Sequence, residues 1–443
     1  MRSRVAFLSP PTNSRIDLLA AHGRGGDSGR CRGIFHVERR DGKRVLDRSA
    51  LGPPPSVAVA HRETYTHYDV ADIAARAVTL QDILAEQTAE REELCVPLAD
   101  NAVRCVACGH RCYLPEGKIG ICKVRFNRQG ALHVPRGYVA ALQCDPVEKK
   151  PFFHAQPGAL ALSFGMLGCD YHCGYCQNWI TSQALRDPAA GLSPRPCTAP
   201  QLVQLAIDQG AEIIASTYNE PLITSEWAVE VFRVAKARGL TTAYISNGNA
   251  TPEVLNYLRP WVDLYKVDLK GFDDKHYRKL GGVLQTVKDT IARLVDMGFW
   301  LEVVTLIVPG FNDSDEELSA IAQFLASVSV DIPWHVTAFH PDYKMADSEF
   351  TAATTLLRAA ASGHAAGLRY VYAGNIPGRV EGYENTYCPQ CHAAVIERCG
   401  YRIVRIHLAG DRCANCGTTI PGKWGSQQRA QRQGAWVPRP VAL

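Results

Sequence analysis

The sequence predicts an α/β protein built on a partial or full TIM-type (β/α) barrel. Two observations carry this. Six or seven short, almost continuously apolar runs lie between about residues 160 and 375, and amphipathic stretches separate them, with no sign of antiparallel pairing. The strand candidates are 159–167, 212–219, 241–248, 264–270, 300–308 and 334–340, with 370–374 a possible seventh. Helix punctuation falls between them. Thr251-Pro252-Glu253 offers an N-cap followed by proline at the first helical position, and Ser314 with Glu317 has capping-box spacing. Gly239, Gly298 and Gly367 sit where C-terminal caps are expected. A doubly wound open sheet is the alternative architecture. In a barrel, chemistry belongs at the C-terminal ends of the strands.

The chain has 443 residues, enough for a full-sized core with appendages. Residues 1–75 are rich in Arg, Gly, Ser and Pro without periodicity, and read as a disordered extension; 425–443 read as a disordered tail. Between them the expected parts are a Cys-rich segment (76–155), the barrel (156–380) and a small C-terminal module (381–424). The net charge of +4 is misleading, because residues 1–55 hold 11 Lys/Arg against 5 acids and the remainder sums to −2. No nucleic-acid partner is expected. No run approaches the roughly 18–20 apolar residues of a membrane span, and the run Val5–Leu8 is too short for a secretory signal, so a cytoplasmic protein is expected.

Sixteen cysteines in such a chain point to metal rather than disulfides. Eleven fall into three clusters, while Cys31, Cys95, Cys144, Cys197 and Cys399 stand apart and read as small buried hydrophobes. The central cluster, Cys169, Cys173 and Cys176 in GCDYHCGYCQNW, follows the first predicted strand. Three thiolates in a CxxxCxxC loop can each take one iron of a [4Fe–4S] cube and leave the fourth iron open for chemistry. An electron-transfer cluster would supply a fourth cysteine.

Cys388, Cys391, Cys413 and Cys416 form two CxxC pairs around a β-rich stretch, a zinc-ribbon pattern, with an auxiliary iron–sulfur cluster as the alternative. His392 follows the first pair without being needed. Cys105, Cys108, Cys112 and Cys122 make a third set of four whose spacing suits zinc or an auxiliary iron–sulfur cluster equally; His110 could replace one thiol. Polar residues at strand ends, His335, His340 and Asn312, are candidates for a substrate, and Tyr218 for a radical's neighbour or for packing. Lys149 and Lys150 read as surface charges.

The central triad, with Tyr175 before its last cysteine, resembles the radical S-adenosylmethionine superfamily. From Thr79 to Trp424, about three quarters of the chain, the motifs RCVACGHRCYLPEGKIGICKVR, DPVEKKPFFH, TYNEP, VDLKGF, GNIPG, YCPQC, CANCG and PGKW resemble one branch, the radical enzyme of the AmmeMemoRadiSam system, related to pyruvate formate-lyase activating enzymes. The resemblance implies S-adenosyl-L-methionine at the open iron and its reductive cleavage to a 5′-deoxyadenosyl radical, fed by a flavodoxin- or ferredoxin-like one-electron donor. It implies cofactor contacts from Tyr175, from Asn219 and Glu220 in place of a Gly-Gly-Glu element, from Asn247, and from Asp268 and Lys270. It also implies Memo-like and AMMECR-like companions. An activase installing a glycyl radical on a partner is the alternative within the class; a non-catalytic iron–sulfur and zinc redox sensor is the alternative outside it.

Overall fold

The computed structural model describes residues 79–425 apart from 191 and 381, together with the two-residue strand Arg439–Pro440. The extension 1–75 and nearly all of the tail 425–443 lie outside the described residues. Seven strands form one parallel series: β2 (Leu160–Gly165), β3 (Ile213–Ser216), β4 (Thr241–Ser246), β5 (Leu264–Asp268), β6 (Trp300–Ile307), β7 (Trp334–Ala338) and β8 (Val371–Gly374). Their order in the sheet is their order in the chain, which is the barrel arrangement and not the doubly wound one. Helices α1 (Ala199–Asp208), α2 (Ser225–Ala237), α3 (Pro252–Leu258), α4 (Leu284–Asp296), α5 (Asp315–Val328) and α6 (Ala353–Ala365) make the crossovers.

The expected punctuation is present with one difference. Thr251 caps α3 by accepting from Val254 N–H, and Gly239, Gly298 and Gly367 close helices at positive φ. Ser314 caps α5 through Glu317 N–H, but the Glu317 carboxylate turns away to Phe272 N–H, so only half of the capping box forms.

The sequence reading missed an antiparallel strand. β1 (Ala141–Pro146) pairs antiparallel with β2 and forms one edge of the parallel series; Arg439–Pro440 pairs with it in turn. Among the described residues the sheet does not close, with β8 at one edge and Arg439–Pro440 at the other, so the barrel is partial. Its inner floor is lined by small or branched residues, Ala161, Ile213, Ala215, Ala243 and Leu264, packed against Val147, Phe152 and Ala155 from the segment after β1. That segment plugs the barrel, and its backbone needs partners. Glu302 on β6 supplies them by accepting from Phe153 N–H and His154 N–H, 2.9 Å each, and from His335 Nε2 at 2.7 Å. Burial would raise the Glu302 pKa, but these donors outweigh it and hold the carboxylate below its usual range.

The C-terminal hairpin, β9 (Ala394–Cys399) and β10 (Arg402–Ile406), packs on the plug and on β8 through Phe153, Tyr370, Tyr372, Val395 and Trp424. Arg398 fixes it by donating to Phe153 O (2.7 Å) and Thr386 Oγ1 (2.8 Å), with its guanidinium 4.3 Å from the Phe153 ring centre.

Glu148 in the plug is fully buried, and one carboxylate oxygen accepts from Gly158 N–H at 2.9 Å. Burial pushes its pKa up to about 7. A carboxyl raised on folding contributes nothing unfavourable below its unfolded value near 4.5, and costs stability as pH rises from there through 7. Glu148→Gln is therefore expected to leave the melting temperature at pH 4 nearly unchanged and to raise stability at pH 8 by about 3 kcal/mol at most. Melting curves of both proteins across that range measure it; a variant equally destabilised at both pH values refutes it.

Candidate active site

The loop after β2 begins at Gly168, whose φ is +93°; a Cβ there would lie 3.0 Å from Cys122 O, so only glycine allows the two cysteine loops to meet. Cys169, Cys173 and Cys176 follow and line a cavity of about 560 Å³ at the C-terminal ends of the strands. Tyr171 N–H donates to Cys169 Sγ at 3.3 Å, and Ser182 Oγ lies 3.2 Å from Cys176 Sγ. Tyr171 anchors the loop from within, and a Cβ on Gly282 would come 2.3 Å from its hydroxyl. Burial raises all three thiols, that of Cys173 to about 12.

The cavity brings together every residue expected at the cofactor: Tyr175, Asn219, Glu220, Asn247, Asp268 and Lys270 line it with the triad. Their polar atoms are not equally available. Glu220 accepts from Ser246 Oγ (2.7 Å), Asn247 N–H (2.7 Å) and Leu222 N–H (3.1 Å), and burial pushes its carboxyl up to about 8. Asn219 Oδ1 accepts from Met166 N–H, and Asn247 Nδ2 donates to Asp170 at 2.8 Å. Those three side chains tie the ends of β2, β3 and β4 together. Asp268, by contrast, is shared by Lys266 (2.9 Å) and Lys270 (3.7 Å), and Lys270 faces the Cys173 and Cys176 thiols. The Tyr175 hydroxyl is buried without a hydrogen-bond partner, and its ring centre lies 5.5 Å from that of Phe311.

Other expectations divide. His340 and Tyr218 line the cavity. His335 does not: its ring is sealed under the floor against Glu302, with 2% exposure. Asn312 is fully buried and satisfies Val308 N–H, Lys270 O and Leu306 O, pinning two loops. Lys150 is no surface charge. It is 7% exposed, lines the cavity, and pairs with Asp145 (2.8 Å) and Tyr218 OH (3.0 Å), while Lys149 is partly exposed beside the same Asp145 at 3.2 Å. Sequence reasoning also missed Asp170, Lys266, Asn375 and Tyr401. Lys266 had a signal, a lysine interrupting an apolar parallel strand; Asp170 lay inside the cysteine run. Tyr401 had none, since it arrives through docking of the C-terminal hairpin.

The flanking cysteines differ in geometry. Among the described residues, Cys388, Cys391, Cys413 and Cys416 are the one group of three or more His, Cys, Asp or Glu side chains whose ligand atoms all lie within 4.8 Å of one another. Cys388–Cys416 and Cys391–Cys413 Sγ separations are 3.5 and 3.7 Å, close to the edge of ~3.8 Å that a tetrahedron with Zn–S near 2.3 Å requires. Asn415 Nδ2 donates to Cys391 Sγ at 3.3 Å and lowers that thiol. His392 is not in the group. The N-terminal set is more open. Cys112 and Cys122 flank Gly120, whereas Cys105 accepts from Arg125 Nε at 3.2 Å, and Arg125 is itself buried in a bidentate pair with Glu226 at 2.7 Å. Cys108 is raised by burial and then by Asp170, which places this set beside the central triad. His110 Nε2 lies 3.9 Å from Asp170.

Residues 165–325 match the family model of the radical SAM superfamily. A Methanocaldococcus jannaschii protein named "Uncharacterized protein MJ0808" is 37% identical over 327 residues, covering 73% of this chain and 96% of that one. The chain belongs to the radical SAM superfamily. Pyruvate formate-lyase-activating enzyme of Staphylococcus epidermidis is 25% identical over 39% of this chain and 72% of its own. Isethionate sulfite-lyase activating enzyme of Oleidesulfovibrio alaskensis is 29% identical over 26% of this chain, and the match spans 40% of that enzyme. SuiB of Streptococcus suis bound to S-adenosylmethionine has 13% identity, 52% and 53% coverage and a TM-score of 0.40.

A radical SAM protein is an enzyme, and its core implies a [4Fe–4S] cluster and S-adenosylmethionine; the non-catalytic sensor reading is thereby set aside. The residues present fit that group. The three central thiols line one cavity and are not gathered as tightly as the ribbon's four, as sulfurs spread over several irons require, and Cys169 Sγ accepts a hydrogen bond from Tyr171 N–H. No helix among the described residues is long and apolar enough to cross a membrane.

Proposed function

We propose that the enzyme holds its [4Fe–4S] cluster on Cys169, Cys173 and Cys176 and uses S-adenosyl-L-methionine to modify a small molecule or a protein side chain. The observation that supports this most is the convergence of the CxxxCxxC thiols and six further residues on one cavity at the strand ends. When bound, the cluster and S-adenosylmethionine supply one-electron cleavage of a carbon–sulfur bond, giving methionine and a 5′-deoxyadenosyl radical that takes a hydrogen atom from substrate. The protein positions and shields. Tyr171 N–H and Ser182 Oγ orient the sulfurs, and Lys270 places positive charge beside Cys173 and Cys176. Asp268, Lys270 and Tyr175 are the proposed direct contacts to S-adenosylmethionine; Glu220, Asn219 and Asn247, with their side chains engaged, act by holding the loops that form its site. Anaerobic reconstitution, dithionite reduction and quantitation of 5′-deoxyadenosine test this, and none from a fully loaded cluster would overturn it.

The motif resemblance extends the reading to the AmmeMemoRadiSam branch, with Memo-like and AMMECR-like companions, a flavodoxin- or ferredoxin-like donor and a cytoplasmic location. The activating-enzyme relatives favour one second reading, a glycyl-radical activase; transfer of the radical to a glycine of a partner, seen by electron paramagnetic resonance, distinguishes it. The three-part division of residues 76–424 belongs to the same proposal. For the ribbon, zinc on Cys388, Cys391, Cys413 and Cys416 is proposed from the thiol spacing. Cys413→Ser is expected to remove about one zinc per chain while iron on the central triad persists. Elemental analysis decides it, and iron lost instead of zinc identifies an auxiliary cluster. For Cys105, Cys108, Cys112 and Cys122 zinc and an auxiliary cluster both remain open.

A further inference from the structure

Asp170 is fully buried and stands where two cysteine loops meet. Its Oδ1 lies 3.8 Å from Cys169 Sγ and accepts from Asn247 Nδ2 at 2.8 Å; its Oδ2 lies 3.9 Å from His110 Nε2 and accepts from Asn249 Nδ2 at 2.8 Å. Both oxygens accept, as those of an ionised carboxylate do. Asn249 joins the loops a second time: its carbonyl accepts from Gly109 N–H at 2.7 Å, and a Cβ on Gly109 would lie 2.4 Å from its Oδ1. With Gly168 against Cys122 O, a glycine from each loop makes the close approach. The buried Tyr171 ring meets His110 edge-on, their centres 6.5 Å apart.

The N-terminal thiols are arranged like the triad and unlike the ribbon. All four ribbon sulfurs lie within 4.8 Å of one another, and no three of Cys105, Cys108, Cys112 and Cys122 do. One zinc gathers its thiolates around a single tetrahedron, whereas a cluster spreads them over several irons. Arg125 Nε donates to Cys105 Sγ at 3.2 Å, the kind of hydrogen bond to sulfur that sets a cluster's potential. Access separates the two sets as well. Tyr113, Ile119 and Ile121, next to Cys112 and Cys122 in the chain, are exposed, so this loop reaches the surface; the triad lines the cavity proposed for S-adenosylmethionine and substrate.

We infer that Cys105, Cys108, Cys112 and Cys122 hold an iron–sulfur cluster that takes one electron from the protein donor and passes it across Asp170 and Tyr171 to the cluster on the triad. No bond forms or breaks: the donor is oxidised by one electron and the triad's cluster is reduced by one. Asp170 is a positioning residue whose negative charge both centres feel. The relay rests on the radical reading for its acceptor; the second cluster does not.

The experiment uses the full chain purified anaerobically, with metal analysis and electron paramagnetic resonance after dithionite reduction. Wild type is expected to give two reduced-cluster signals, and Cys169→Ala/Cys173→Ala/Cys176→Ala to keep one of them with about two to four irons per chain. A single signal in wild type, or zinc without iron in the triple variant, overturns the second cluster. For the relay, reduced flavodoxin, reduced ferredoxin and dithionite are compared on Cys108→Ala/Cys112→Ala, following the triad's signal in rapidly frozen samples. Reduction by the protein donor that serves wild type is expected to be lost, and reduction by dithionite, small enough to enter the cavity, to be kept. Equal loss with both reductants, no loss with the protein donor, or failure of both protein donors on wild type overturns the relay. Asp170→Asn is expected to raise the midpoint potential of both clusters, since it removes a negative charge beside each; a shift in one alone overturns the coupling through Asp170. Deoxyadenosine from dithionite-reduced wild type reports on the radical reading separately: its absence with both signals present overturns that reading and leaves the second cluster standing.

Discussion

Cys173→Ala is expected to abolish 5′-deoxyadenosine formation and to strip most of the iron bound by the central loop. Each of the three thiols is proposed to hold a different iron, so no neighbour replaces a lost one. Cys197, although buried, lies outside the cavity. The loss should exceed the roughly 10–100-fold that removal of an outer hydrogen-bonding partner of a metal ligand costs. Ser182→Ala removes such a partner from Cys176 and should fall inside that range while iron is retained. Cys197→Ala should change neither quantity. Iron and sulfide analysis with deoxyadenosine quantitation on the three variants gives the answer. Activity surviving in Cys173→Ala at full iron content would place the cluster elsewhere, with the N-terminal four cysteines the next candidates.

What the sequence disclosed and what it concealed follow from the range of the interactions involved. Strand runs such as 300–308 were legible because parallel strands buried on both faces leave nearly unbroken apolar sequence, and Thr251 and Ser314 were legible because capping is local. The cysteine triad was legible because its ligands lie within eight residues of one loop. β1 escaped because residues 141–146 contain Gln143, Cys144, Asp145 and Pro146, a polar strand without apolar alternation. His335 was misplaced for a related reason. A histidine at a strand end looks the same in sequence whether it faces a cavity or a buried glutamate, and Glu302 lies 33 residues away. Tyr401 and Lys150 owe their position to how the ribbon and the plug dock on the barrel, and no short-range pattern records that.

Arg125 offers the sharpest separation of stability from metal binding. The residue is 1% exposed, and its guanidinium makes two 2.7 Å hydrogen bonds to Glu226 and donates through Nε to Cys105 Sγ and through Nη1 to Ile223 O. Arg125→Met leaves the Glu226 carboxylate buried and unpaired, which is expected to cost about 3–5 kcal/mol in urea unfolding. Removing the stranded charge as well, in Arg125→Met/Glu226→Leu, should return most of that stability, since a buried ion pair contributes little beyond a well-packed apolar pair. The Cys105 sulfur, however, lacks its donor in both proteins. If Cys105 is a metal ligand, both variants should hold their N-terminal metal more weakly, by about 10–100-fold, although only the single variant is unstable. Full recovery of metal together with stability in the double variant would make Arg125 a packing residue and separate Cys105 from the N-terminal metal site.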